Sequence, residues 1–235
     1  MKLCGRKTLS WISTFMLTGL LSTSLQAKEL HLVLMGASIG REWNVPQLPE
    51  RMKLEHITFE YIGVFDQFDK TVAINEIISR KLKPDVVIIK QCSVYFPGAL
   101  TQYKILTQTW VKNLRDAGIR PVLATSVPIA RSEAIMDKIK DVARIYILQR
   151  KPKMEQIEAF NDWIRQFSDN NGLAVLDLEK TLRISASDRY MRPDFDKGDR
   201  VHINQKAYAA LDNIMPHLLN EMMAETTPVK GKKNL

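Results

Sequence analysis

Cysteine is nearly absent from this 235-residue chain, which has two, Cys4 and Cys92. That scarcity excludes a disulfide-stapled fold. Long apolar runs are missing beyond the N-terminus, so no later segment reads as a membrane span. Acidic residues are outnumbered, 26 against 34 basic ones, yet the formal charge of +8 is not spread over the body. Lys2, Arg6 and Lys7 lie at the start and Lys230, Lys232 and Lys233 in the tail, which leaves about +2 between them. Arg150, Lys151 and Lys153 make only a short basic cluster, so a nucleic-acid partner is not expected.

The N-terminus carries those three positives ahead of the uncharged run TLSWISTFMLTGLLSTSLQA. It reads as a signal peptide, residues 1–27, cleaved near Ala27; an uncleaved anchor is the rival reading. Cleavage leaves roughly 208 residues, enough for one domain with a sizeable core. Residues 28–224 are assigned to that domain and 225–235 to a flexible basic tail. An exported, periplasmic or secreted product is the expectation, with Cys92 its one cysteine and no stable membrane span after cleavage.

Within the domain, short apolar runs alternate with helical patterns, the order of an α/β fold with a mostly parallel sheet. Strands are expected at 30–36, 57–63, 85–91, 121–125 and 173–178. Helical faces are formed by Ile74, Ile77, Ile78 and Leu82, by Tyr103, Leu106, Trp110 and Leu114, and by Ile157, Phe160, Ile164 and Phe167. A last helix is expected from Asn204, burying Tyr208, Leu211, Met215, Leu218 and Met222. Residues 179–203 show no clear pattern, and long loops in compact domains tend to be functional.

The first strand runs into Gly36-Ala37-Ser38-Ile39-Gly40, a literal G-x-S-x-G. A serine nucleophile needs a base, and an imidazole base works best when a carboxylate holds its tautomer. Of the four histidines, His31 lies on the same strand as Ser38, roughly 20 Å away in extended chain. His56 enters the second strand at the wrong end of a parallel sheet, and His217 lies about four turns beyond His202. His202 alone sits in a loop before a helix, three residues after Asp199. Ser38, His202 and Asp199 are therefore the candidate nucleophile, base and orienting acid.

These blocks resemble the SGNH/GDSL hydrolases. VLMGASIGREW is similar to the first block, with Ser38 at the nucleophile position and Ala37 in place of the usual acid. GDRVHINQKAYAAL is similar to the last, with Asp199, His202, Asn204 and Tyr208 in register. The resemblance implies a flavodoxin-like, three-layer α/β/α fold with about five strands. It also implies hydrolysis of carboxylic esters, acyl or acetyl, of a small molecule or glycan, with O-acetylated carbohydrate the favoured class. A noncatalytic glycan- or partner-binding relative and an acyltransferase using the same triad are the alternatives.

An α/β-hydrolase elbow normally follows several strands and draws its acid and histidine from separate loops, so Gly40 reads as incidental to the motif. The middle blocks depart from the family pattern, where a glycine N–H and an asparagine amide join the serine N–H in the oxyanion hole. After the second strand Phe65 or Asp66 stands nearer the usual position of that glycine than Gly63 does; after the third, Cys92 and Val94 stand at the glycine and asparagine of a G-x-N-D-like block, and valine cannot donate. Gly63, Gln91 and Ser93 are the substitute candidates beside Ser38. Arg41, Trp43, Tyr95 and Phe96 are candidate pocket residues at the strand ends. Cys92 is expected to be packed rather than reactive. Asp66, Asp69, Asp194 and Asp196 lack metal-ligand spacing, and neither metal nor cofactor is expected.

Overall fold

A computed structural model describes residues 29–65, 68–92, 100–132 and 152–225. The leader, the residues after 225, and Asp66, Ser93, Val94, Tyr95 and Phe96 lie outside the described residues.

Five strands form one parallel sheet in the order β2-β1-β3-β4-β5: Leu30–Gly36, Ile57–Gly63, Val86–Lys90, Arg120–Ala124 and Val175–Leu176, numbered along the chain. The expected strands are all present, and every pairing is parallel. β5 is only two residues long because a helix begins at Leu178.

The helices are α1 (Ser38–Trp43), α2 (Leu48–Met52), α3 (Thr71–Ser79), α4 (Thr101–Asp116), α5 (Lys153–Asn170), α6 (Leu178–Leu182), α7 (Gln205–Asp212) and α8 (Met215–Glu225). Right-handed crossovers explain how they divide. The chain steps from β1 to β2 and then reverses to β3, which moves the connecting helices from one face of the sheet to the other. Leu32, Leu34, Val86 and Ile88 pack with Trp43, Leu48, Leu211 and Met215 on one side. Val33, Met35, Val87 and Ile89 pack with Ile74, Trp110, Leu114 and Phe160 on the other. Successive residues of β1 and β3 thus feed opposite layers, which is why both strands are apolar without alternation.

Two helical expectations need correction. α3 stops at Ser79, so Leu82 is off its face and 85% exposed. The last helix is two, broken at Asn213–Ile214 between α7 and α8. Asn204 does cap the first of them, its side chain accepting from the Ala207 N–H at 3.2 Å.

The unpatterned stretch contains α6 and a short 3-10 turn at Pro193–Phe195. Glu179, fully buried, ties it down: it accepts from Asn161 and Arg165 at 2.8 and 2.9 Å and pairs with Arg189. Asn161 also holds both backbone groups of Ser126, and the Ser126 hydroxyl donates to the Gln91 carbonyl. The ends of β3 and β4 are joined through this chain to α5 and α6. Among the described residues no helix is long and apolar enough to cross a membrane.

Candidate active site

Parallel open sheets bind ligands beyond the carboxyl ends of their strands, where the strand order reverses. That point lies at β1, between β2 and β3, and Ser38 follows β1 by two residues. The strand ends at Gly36, Ala37 takes an extended conformation, and Ser38 is the first residue of α1. The N–H of Ser38 therefore belongs to the first turn, whose N–H groups have no partner within the helix.

Ala37 contributes no side-chain cap. The turn is held instead from below by Tyr61 of β2, whose hydroxyl oxygen lies 3.1 and 2.9 Å from the carbonyls of Gly36 and Ala37. Gly40, incidental to the G-x-S-x-G pattern, has a packing role of its own. A Cβ on Gly40 would sit 2.9 Å from the Tyr61 ring, so glycine is what lets α1 lie on the residue that supports its first turn.

His202 arrives from the opposite end of the chain. Its loop is shaped by Asp196, which accepts from the N–H groups of Gly198 and Arg200, and by Asn204, whose amide donates to the carbonyls of Asp194 and Asp196. His202 Nε2 lies 2.9 Å from Ser38 Oγ, and its Nδ1 lies 2.6 Å from Asp199 Oδ2. The other Asp199 oxygen accepts from the N–H groups of Val201 and His202 at 2.9 and 2.7 Å. Partial burial pushes the Asp199 carboxyl up, but these backbone donors and the imidazole outweigh it and bring it to about 2. An ionised Asp199 places the imidazole proton on Nδ1 and leaves Nε2 to accept from the serine.

The other site candidates are placed as follows. Gly63 stands opposite Gly36 within β2, and the Phe65 ring occupies the space a Cβ would take, 2.5 Å from it. Gln91 is buried; its Nε2 donates to the Phe68 carbonyl at 3.4 Å and its Oε1 has no partner among the described residues. The amide is thus engaged with the connection after β2 and shows no contact with Ser38. Arg41 lies exposed over the Phe65 ring, 5.3 Å from its centre. Trp43 corrects the expectation of a pocket aromatic: it is 2% exposed, in the core, with Nε1 donating to Asp212 at 2.7 Å. Cys92 is buried and free. Ser93, Tyr95 and Phe96 lie outside the described residues. No group of metal-ligating side chains occurs among the described residues.

Three features escaped sequence reasoning. Tyr61 gave no signal, since an aromatic in a strand is ordinary. Asp212 is the second: besides Trp43 it takes Arg51 through Nε and NH2, both at 3.0 Å, while Arg51 also donates to the carbonyls of Trp43 and Asn44. This clamp joins the end of α1 to the end of α7, the two helices that begin at or just after Ser38 and His202. The third is a pair of buried lysines, Lys70 and Lys90. Burial lowers both, and the charge of Lys90 helps bring Lys70 to about 8. The signal for Lys90 was present, a charge closing the apolar run VVIIK.

No family sequence model matches the chain, and no curated protein matches it in sequence. Solved structures do. An acylhydrolase candidate from Bacteroides fragilis is 20% identical, with a TM-score of 0.63 over 84% of this chain and 89% of the other. A GDSL-like lipase from Bacteroides thetaiotaomicron is 15% identical, with a TM-score of 0.59 over 83% and 89%. An acetyl xylan esterase from Geobacillus stearothermophilus is 15% identical, with a TM-score of 0.57 over 82% and 95%. The sheet order, the layer arrangement and these likenesses together show that the chain has the SGNH/GDSL hydrolase fold.

Proposed function

We propose that the protein is an exported serine esterase that hydrolyses carboxylic esters, with O-acetylated carbohydrate as its substrate class. The observation that carries the reading is the unbroken line Ser38–His202–Asp199, at the strand end where an open parallel sheet places its ligands. In this mechanism Ser38 Oγ attacks the ester carbonyl while His202 Nε2 takes its proton. The same proton goes to the departing alkoxide, and the acyl-enzyme forms. Water then repeats the attack with His202 as base, which frees the acid and restores Ser38. Asp199 stays ionised and stabilises the imidazolium.

The carbohydrate assignment draws on the likeness to the acetyl xylan esterase, a protein also solved with a catalytic serine and, separately, a catalytic aspartate replaced. Export draws on the N-terminal leader and is tested by N-terminal sequencing of protein recovered from outside the cytoplasm, which should begin near Lys28. Ser38 should be labelled by a fluorophosphonate, and Ser38→Ala should abolish both labelling and hydrolysis of p-nitrophenyl acetate. Folded wild-type protein that takes up no label sinks the esterase reading and favours a binding protein. Label with transfer to added sugars in preference to water favours an acyltransferase.

A further inference from the structure

β3 is buried along its whole length and apolar at every position but its last. That last residue is Lys90, 2% exposed. The register that pairs Met35 with Ile89 continues to set Lys90 beside Gly36, two residues before Ser38. Its stem lies across the face of that glycine: a Cβ on Gly36 would be 3.5 Å from Lys90 Cβ and 3.6 Å from Cδ. Lys70, 1% exposed and immediately ahead of α3, lies close enough to sense the charge of Lys90. The other groups acting on the pair are the Cys92 thiol and, for Lys70, the neighbouring Asp69. Neither ammonium forms a salt bridge with a described carboxylate.

An ammonium withdrawn from water is costly, and two together are worse. Packing does not call for it, because an apolar side chain of similar volume at such a site is commonly neutral or stabilising. Acyl transfer does offer a counter-charge. It builds an anion on the carbonyl oxygen beside Ser38, and Gln91 shows no contact there.

We propose that Lys90, backed by Lys70, supplies the positive potential that stabilises the oxyanion formed at Ser38, the task an asparagine amide performs in the family pattern. The inference rests on the esterase reading above. As the Oγ–carbon bond forms, the carbonyl π pair moves onto oxygen and the serine proton moves to His202. Lys90 keeps its own proton and acts through its field, so that its contribution is larger in the transition state than in the ground state.

The test is Lys90→Met in the full chain, with Lys70→Met beside it. Lys90→Met should lower kcat for p-nitrophenyl acetate at least tenfold and leave KM within threefold. It should weaken inhibition by a trifluoromethyl ketone, which forms an anionic tetrahedral adduct, by a similar factor. Its melting temperature should stay level or rise. A smaller kcat loss overturns the proposal, as does a loss accompanied by a lower melting temperature, which makes the lysine structural. Should Lys90→Met give no folded protein, folded Lys70→Met decides: a tenfold or greater kcat loss supports the proposal and a smaller one overturns it. Ser38→Ala in the same assay separates the two failures. If Ser38→Ala is inactive while Lys90→Met is fully active, only the lysine proposal falls; if Ser38→Ala is active, the esterase reading falls with it.

Discussion

Replacing Asp199 by asparagine keeps the size of the side chain and removes its charge. The amide oxygen can still accept from the Val201 and His202 N–H groups, so the loop keeps its shape. The other oxygen position becomes an NH2 facing His202 Nδ1, which favours the tautomer with its proton on Nε2. That tautomer cannot accept from Ser38. The charge term is bounded by the setting: an imidazolium and a carboxylate about 4 Å apart attract by about 4 kcal/mol at an effective dielectric of 20 and about 1 kcal/mol in bulk water. The Asp199 side chain is 52% exposed, which places it between those limits at about 2–3 kcal/mol, or roughly a hundredfold in rate. The tautomer penalty adds to this, so kcat/KM for p-nitrophenyl acetate should fall about 10²- to 10³-fold, short of the roughly 10⁴-fold seen where a triad acid is buried. Because the carboxyl lies at about 2, well below an unfolded aspartate, its contribution to folding is complete above the unfolded value and is lost only as pH falls toward 2. The acid limb of the wild-type rate profile therefore belongs to a group other than Asp199. A loss under tenfold in Asp199→Asn, with the fold intact by circular dichroism, refutes this reasoning.

Gly40→Ala drives a methyl group into the Tyr61 ring, so the variant should lose about 1–3 kcal/mol in urea unfolding, and the double variant with Tyr61→Leu should recover part of it. Glu179→Gln removes a buried carboxylate that faces three arginines, Arg165, Arg183 and Arg189, and should cost about 3–5 kcal/mol of stability by the same method. Lys70 lies at about 8 when folded and higher when unfolded, so the unfolded chain binds more protons between those values. Wild-type stability relative to Lys70→Met should rise from about pH 8 toward pH 10, by at most about 3 kcal/mol in paired urea titrations.

The layers were legible because β1 and β3 are buried on both faces, which leaves an unbroken apolar run where a half-exposed strand would alternate. Helix ends were less so. Leu82 fits the period of α3 on paper, but the chain leaves the helix at Ser79, and nothing in apolar spacing reports where a tertiary contact stops. Ser38, His202 and Asp199 could be singled out because loop position and hydrogen-bond chemistry leave few candidates among four histidines. The residues that position them were hidden. Tyr61 and Asp212 act through partners 25 and 169 residues away, and no local pattern marks such a pairing. Trp43 was misread for a related reason: residues of one short helix face either core or solvent, and proximity in sequence to Ser38 does not say which.

Ser38 and His202 are 164 residues apart, and the clamp that squares their helices closes through Asp212, near the end of the domain. Four of the five strands of the sheet, β2 to β5, lie between them in the chain. A polypeptide emerging from the ribosome holds Ser38 long before it holds His202. On the esterase reading, reactivity at Ser38 is withheld until the last helices dock, so fluorophosphonate labelling during refolding should serve as a clock for the final assembly step. Truncation before α7 should leave the serine silent even if the sheet has formed.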